Sequence, residues 1–385
     1  MFPTEPPMPN PAKSLALVIP LAVAMAWVIG REPESGTLSP STLNADEEIL
    51  FYPTYGRFDE QAQVWRFDVH GKVFEPEDGS FKRALLIATL KSSMRGNVEI
   101  DKDAFLSDRI RPFLVDNERG KSVTIDVAGN QFAAGVSAAN GHFRRSLVSD
   151  AAGLGVGLDD IGAPQSRVLT FTAVLPPRDS RTFDGRIHLI APRGVSVISD
   201  IDDTIKHSQV TDRSELLQNT FTRAFRAVDG MPELYADLAD VGVAFHYVSG
   251  SPWQLYPPLE AFFSDQGFPS GTFHLKHFRL TDSSGLGLLS SQRETKLAAI
   301  VPLLDSFPDR RFILLGDSGE HDPEIYGQLA REYPDQIAGI FIRNVTSADP
   351  TDGRFQSALE GVPSDRWILF EDVAQIKQRV TDLAR

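Results

Sequence analysis

Cysteine is absent from the 385 residues of this chain. Disulfide bonds, zinc–thiolate sites and thiol nucleophiles are therefore excluded. Basic charge is also scarce, because 38 Lys and Arg residues stand against 52 Asp and Glu residues and the formal net charge is −14. A nucleic-acid-binding protein normally presents a basic face, so this balance argues against one. A small anionic substrate is not excluded, because a bound metal ion can reverse the local charge.

Charged side chains are missing from one N-terminal segment. Residues 15–30, LALVIPLAVAMAWVIG, carry no charge and follow Lys13. Such a segment predicts a signal peptide or a membrane anchor, with the rest of the chain outside the cytoplasm. The alternatives are a buried element, a misassigned start codon and a cytoplasmic protein. We interpret residues 1–44 as this leader followed by a linker rich in Pro, Ser and Thr.

Residues 45–190 alternate apolar and polar side chains with the period of a β-strand. In QVWRFDVHGKV, for example, Trp65, Phe67 and Val69 share one face. Strands with one buried face are typical of a sandwich, so we predict a β-rich, sandwich-like first domain. One helix is expected within it, at residues 81–94. His142 is interpreted as a surface or structural residue, because no catalytic constellation is evident here.

Residues 191–385 have a different sequence pattern. Short runs rich in Val, Ile, Leu and Phe alternate with helical stretches. Runs without strict alternation suit strands that are buried on both faces. Strand–helix alternation predicts an α/β domain built on a doubly wound parallel sheet. In such sheets, ligands bind beyond the carboxyl ends of the strands.

Polar side chains follow three of the predicted strands at the point where each ends. The segments are SDIDDT (residues 199–204), SGS (249–251) and GDSGEHD (316–322). Carboxylates packed this closely repel one another unless a divalent cation lies among them, and oxygen ligands without cysteine suit Mg²⁺. The hydroxyl of Ser249 and the amide of Gly250 can donate to phosphoryl oxygens. The pattern therefore favours a phosphate site that uses a metal ion.

These segments resemble the motifs of the haloacid dehalogenase phosphatase superfamily: a DxDxT strand end, a Ser or Thr strand end, a Lys and an acidic pair. A more specific resemblance, over roughly residues 180–345, is to the actin-patch phosphatidate phosphatase catalytic family, whose DxDxT motif is lipin-like. It is carried by SDIDDTIK, YVSGSPWQLYPPLEAFF, FPSGTFHLKHF and FILLGDSGEHDPEIY. The resemblance implies a haloacid-dehalogenase-like fold for residues 191–385.

The family's chemistry is implied for the matching residues. Asp200 would attack phosphorus and form an aspartyl-phosphate. Asp202 would protonate the leaving alkoxide and then activate water, for which its pKa should be raised. The implied phosphate ligands are Ser249, Gly250 and Lys296. The implied Mg²⁺ ligands are Asp200, Asp317, Asp322 and, through its backbone carbonyl, Asp202. Thr204 would support the loop. Lys206 and Lys276 compete with Lys296 for its role, and Asp203 is interpreted as a supporting or helix-capping residue.

Phosphatidic acid is the substrate that the resemblance implies, and a membrane surface is an expected partner. The alternatives are a soluble or protein phosphate ester and a non-catalytic surface binding module. Five aromatic residues after Ser249 would either border a lipid-facing mouth or pack in a helical core stripe: Trp253, Tyr256, Phe262, Phe263 and Phe268. His274 and His277 suit packing better than metal binding.

Overall fold

A computed structural model of the protein describes residues 38–77, 80–94, 104–157, 167–277 and 292–385. The strands are β1 (Glu48–Tyr52), β2 (Thr54–Asp59), β3 (Val64–Glu75), β4 (Asp116–Asn117), β5 (Ser122–Val127), β6 (Asn130–Val136), β7 (His142–Ser149), β8 (Arg167–Ala173), β9 (Asp184–Ile190), β10 (Gly194–Asp200), β11 (Ala244–Pro252), β12 (Thr272–Lys276), β13 (Arg310–Asp317), β14 (Ile337–Arg343) and β15 (Trp367–Phe370).

The α-helices are α1 (Ser80–Ser93), α2 (Ala104–Ile110), α3 (Arg213–Phe221), α4 (Met231–Asp240), α5 (Tyr256–Gln266), α6 (Gln292–Ser306), α7 (Asp322–Glu332), α8 (Gly353–Ala358) and α9 (Lys377–Ala384). Helix α1 confirms the helix expected at residues 81–94, whereas α2 is a second helix of the same region that the sequence analysis did not predict. Pro302 lies inside α6.

The first sheet is a curled mixed sheet of nine strands. Its order is β1-β3-β2-β9-β8-β5-β6, and β4 and β7 also pair with β3. Strands β2 and β9 are parallel, whereas the other pairs are antiparallel. The predicted alternation is present, because Trp65, Phe67 and Val69 are all buried in the core of this sheet.

The second sheet is separate and has six strands in the order β12-β11-β10-β13-β14-β15. All of its pairs are parallel. The middle strands are buried along almost their whole length, which explains why their sequences are apolar without alternation.

The fold class predicted from the sequence is wrong. We expected a haloacid-dehalogenase-like, doubly wound sheet preceded by a sandwich, but the chain combines one curled mixed sheet with a separate parallel sheet. Period-two alternation reports that one face of a strand is buried. The alternation does not show whether a second sheet, or the same sheet curling on itself, covers that face. We predicted a second sheet, whereas the structure has a curled one.

The two sheets are joined by a link of only three residues, 191–193, between β9 and β10. Arg310, at the start of β13, is 1% exposed and binds this link. Its guanidinium donates to the carbonyl oxygens of Ala191 (2.7 Å), Arg193 (2.6 Å) and Val195 (2.6 Å). Burial lowers the pKa of Arg310 to about 10, so the side chain remains a cation near neutral pH and holds the link in place.

The predicted localisation, a membrane anchor or export signal at residues 15–30, is corrected. Within the described residues, no helix combines the length and the apolar character that crossing a bilayer requires. Residues 15–30 themselves lie outside the described residues.

Candidate active site

Three neighbouring strands of the parallel sheet carry their polar residues to the same edge. Asp200, the last residue of β10, is in register with Val248 of β11, and Ser199 is in register with Leu315 of β13. Ser249 and Asp317 therefore come to the same edge of the sheet as Asp200. The backbone register alone gathers three polar segments that the sequence spreads from residue 199 to residue 322.

Four carboxylates and one ammonium group are buried together at this edge. The ammonium of Lys296, from α6, lies 2.8 Å from Asp200 Oδ1 and 2.8 Å from Glu320 Oε2, and it also contacts Asp322 Oδ1. Asp317 completes the group, and one oxygen from each of the four carboxylates lies within 4.8 Å of the others. We call these five residues the acidic cluster. Of the competing lysines, Lys206 contacts Asp202 instead.

The acidic cluster is electrostatically unbalanced. When all of its groups are ionised, four carboxylates face one ammonium and the net charge is −3. Burial and the neighbouring carboxylates raise the pKa of Asp200 and of Asp317 well above the usual range, and burial also raises the pKa of Glu320. Burial would lower the pKa of Lys296, but Asp200, Asp322 and Glu320 raise it well above its usual range, so the lysine stays charged.

The donor atoms of this cluster fit a divalent cation. Asp317 Oδ1 accepts from the backbone N–H groups of Gly319 (2.6 Å) and Glu320 (3.1 Å), which fixes the carboxylate. Its Oδ2 atom is buried and has no hydrogen-bond partner among the described residues. A buried carboxylate oxygen without a donor is costly, and a bound cation would satisfy it. The ligand set would consist of hard oxygen atoms, which suit Mg²⁺ or a similar ion.

Asp202 occupies a different environment two residues after Asp200. Its Oδ2 atom accepts from the hydroxyls of Ser249 (2.9 Å) and Ser251 (3.0 Å). Its Oδ1 atom lies 2.8 Å from Lys206 Nζ and accepts from Ser208 Oγ at 2.7 Å. Burial alone would raise the pKa of Asp202, but Lys206 and the hydroxyl donors lower it to about 2.

One expectation for Asp202 therefore needs correction. Its pKa is lowered, not raised, because the sequence does not show that Lys206 and the serine hydroxyls surround this carboxylate. Its carboxylate is not part of the acidic cluster, in which Glu320 is the fourth acid, and the Mg²⁺ role implied for the backbone carbonyl of Asp202 stays a prediction. Glu320 was missed, although it lies within the GDSGEHD segment, because only the first and last acids of that segment were considered.

The loop after Asp200 is fixed by its own side chains. Thr204 Oγ1 donates to Asp200 Oδ2 at 2.9 Å, which orients the carboxylate. Asp203 adopts a positive φ of 57° and accepts from the backbone N–H groups of Ser208, Gln209 and Val210. Asp203 thus organises the turn that carries Lys206 and Ser208, and it does not cap a helix.

The aromatic residues after Ser249 belong to the core. All five are at most 6% exposed: Trp253, Tyr256, Phe262, Phe263 and Phe268. The core alternative for this segment is therefore the one found in the structure. Gly250 and Ser251, in contrast, are partly exposed next to the hydroxyl of Ser249.

Residues 195–344 match the family model described as "Phosphatidate phosphatase APP1, catalytic domain". This segment is therefore similar to that catalytic-domain family. It contains the whole acidic cluster together with Asp202 and Ser249.

Two proteins have sequences similar to part of this chain. The chain is 40% identical over 168 residues to phosphatidate phosphatase APP1 of Saccharomyces cerevisiae. It is 30% identical over 171 residues to an uncharacterized protein of Schizosaccharomyces pombe. Each match covers 43% of this chain and 28% of the relative, so the chain spans less than a third of the length of these relatives.

Among solved structures, a β-glucuronidase of Parabacteroides merdae aligns with 77% of this chain and 34% of its own, at a TM-score of 0.27 and 11% identity. This similarity is too low to indicate a shared fold.

Proposed function

We propose that this chain is a metal-dependent phosphatidate phosphatase, which releases phosphate from phosphatidic acid and leaves diacylglycerol. One observation supports this proposal above the others: the carboxylate of Asp200 lies in a buried cluster that can hold a divalent cation, at the strand end where hydroxyl and lysine donors converge. The similarity to a phosphatase of that name supports the choice of substrate.

In this proposal Asp200 is the nucleophile. Thr204 holds one of its oxygens and Lys296 the other, so the carboxylate is oriented before the substrate arrives. Attack on phosphorus forms an aspartyl-phosphate and expels the diacylglycerol alkoxide. Ser249, the Gly250 amide and Lys296 donate to the phosphoryl oxygens as negative charge develops on them.

The metal ligands in this proposal are Asp200, Asp317, Glu320 and Asp322, with Mg²⁺ as the ion that best suits their oxygen atoms. When bound, the ion supplies positive charge that neutralises the phosphoryl oxygens and favours the ionised form of Asp200. Asp317 is preorganised for this role by the two backbone N–H groups that fix its other oxygen.

Asp202 is the proton-transfer residue of the proposal. Its low pKa keeps it as a carboxylate, the form that can accept a proton from the water that hydrolyses the aspartyl-phosphate. To protonate the leaving alkoxide in the first step it must gain a proton. A phosphate dianion beside Ser249 adds negative charge next to Asp202 and raises its pKa, so substrate binding promotes the protonated form.

The test is phosphate release from phosphatidate in detergent micelles by the full chain, with Mg²⁺ and with EDTA. We expect release only with Mg²⁺, and a fall of at least about 1,000-fold in Asp200→Asn. Asp237→Asn, a half-exposed acid of α4 outside the acidic cluster, is the matched control and should retain activity. Equal turnover by Asp200→Asn would refute the assignment of the nucleophile. Turnover of a soluble phosphate ester but not of phosphatidate would refute the substrate while leaving the chemistry intact.

A further inference from the structure

Three histidines converge at a second place, outside the acidic cluster. His70 lies on β3, His142 is the first residue of β7, and His277 directly follows β12. One ring nitrogen from each lies within 4.8 Å of the other two. The Nε2 atom of His70 and the Nδ1 atom of His142 are 3.2 Å apart. His70 is buried, His142 is partly buried and His277 is exposed.

The trio lies where the two sheets meet. Strands β3 and β7 pair with each other in the curled sheet, whereas β12 is the edge strand of the parallel sheet. Aromatic side chains from both sheets hold the rings: Tyr52 of β1 stacks on His142 at 5.7 Å between ring centroids, and Trp253, which follows β11, meets His70 edge-on at 4.7 Å. The imidazole rings are therefore positioned by packing from two sides.

The spacing and the protonation of the rings both suit a metal ion. In tetrahedral coordination with bonds of 2.0–2.1 Å, two ligand nitrogens lie about 3.3 Å apart, close to the separation of the His70 and His142 nitrogens. Burial, followed by the neighbouring positive groups, lowers the pKa of His70 well below its usual range and that of His142 to about 3. Both rings are thus neutral at pH 7, the form that binds metals.

We propose that His70, His142 and His277 form a binding site for a divalent transition metal, such as Zn²⁺, that ties the curled sheet to the end of β12. Three imidazoles leave one position of a tetrahedral ion for water or another ligand. That position has room, because His142 and Trp253 also line a cavity of about 480 Å³ beside the curled sheet. A metal here would be chemically distinct from one in the acidic cluster, because its ligands are nitrogen atoms and not carboxylate oxygens.

One neighbouring group opposes a cation at this site. Lys72 is the cross-strand partner of His142, and it lines the same cavity. Removing this charge without removing volume should therefore tighten metal binding, whereas a merely packed trio of histidines would bind no metal with or without Lys72.

The experiment is calorimetric titration of the full chain with Zn²⁺ in excess Mg²⁺, which occupies carboxylate sites. We expect one Zn²⁺ per chain, with affinity reduced at least about 10-fold in His142→Ala and in His277→Ala. His277 is exposed, so its replacement should not unfold the protein. His207→Asn, a histidine outside the trio, is the matched control and should bind as wild type does. Lys72→Met should bind more tightly.

Two results would overturn the proposal. Zn²⁺ binding that is absent, or unchanged in both His142→Ala and His277→Ala, would show that the trio is only packed. Binding lost in His142→Ala but intact in His277→Ala would show that the metal does not tie the two sheets together. Zn²⁺ should also raise the melting temperature of wild type and not that of His277→Ala. Because none of these measurements uses phosphate release, they are independent of the proposed phosphatase activity.

Discussion

Lys296→Met is the most informative single change in the acidic cluster. The lysine is 1% exposed and is the only cation in contact with Asp200, Glu320 and Asp322 among the described residues. Methionine keeps most of the volume of the side chain and removes the charge. The change therefore isolates what one ammonium contributes to three buried carboxylates.

The magnitude follows from the burial of all four groups. Breaking a buried charge pair by removing one partner costs about 3–5 kcal/mol, because an uncompensated charge stays in the interior. Without the ammonium, the pKa values of Asp200 and Glu320, already raised by burial, rise further. The carboxylates then resist ionisation in the folded state but not in the unfolded state. The loss of folding stability should therefore be complete at neutral pH. It should shrink below about pH 4, where the unfolded carboxylates are protonated too.

The assay is urea unfolding in EDTA at several pH values. Lys377→Met is the matched control, because Lys377 pairs with Asp237 at 2.7 Å but both side chains are about half exposed. Such a surface pair should change the free energy of unfolding by no more than about 1 kcal/mol. Mg²⁺ should restore more stability to Lys296→Met than to wild type. If Lys296→Met costs no more than Lys377→Met at neutral pH, the electrostatic account of the cluster is wrong.

Two further predictions concern other parts of the chain. Lys72→Met should stabilise the protein by up to about 3 kcal/mol at pH 7, because burial lowers the folded pKa from 10.5 to about 8. Wild type should gain stability as the pH rises from the folded to the unfolded pKa of Lys72. In unfolding experiments in EDTA, the difference in free energy of unfolding between Lys72→Met and wild type should therefore disappear near pH 10.5. A difference that does not depend on pH would contradict this explanation. Gly327→Ala should cost about 1–3 kcal/mol, because its Cβ would overlap the Ala358 carbonyl. Gly353→Ala, where space is open, should be neutral or stabilising, and equal effects in thermal unfolding would contradict the packing argument.

Sequence patterns predicted local features of this fold better than its arrangement. The alternation at Trp65, Phe67 and Val69 correctly indicated a strand with one buried face, because that pattern depends only on the pleat. No local sequence pattern predicts the parallel pairing of β2 with β9, because these strands lie far apart in the chain. The shape of the first sheet was therefore beyond such patterns.

In the candidate site, too, local sequence patterns predicted some residues but not the contacts between distant segments. Asp200 and Asp317 were picked out because each ends an apolar run, which is a local signal. The environment of Asp202 was not predictable, because its pKa depends on where Lys206 and the Ser249 hydroxyl fold back to meet it. The meeting of His70 with His277 was equally hidden, since no spacing rule connects a residue of one sheet with the end of another.

The short link held by Arg310 has a consequence for anyone who wishes to engineer this protein. An insertion at residues 191–193 would draw carbonyl groups away from the guanidinium and displace the strand that ends in Asp200. The exposed two-residue hairpin at Ala128 and Gly129, with φ values of 51° and 85°, lies at the tip of β5 and β6 and carries no such connection to Asp200. A reporter or affinity tag belongs at that hairpin, and the joint between the sheets should keep its native length.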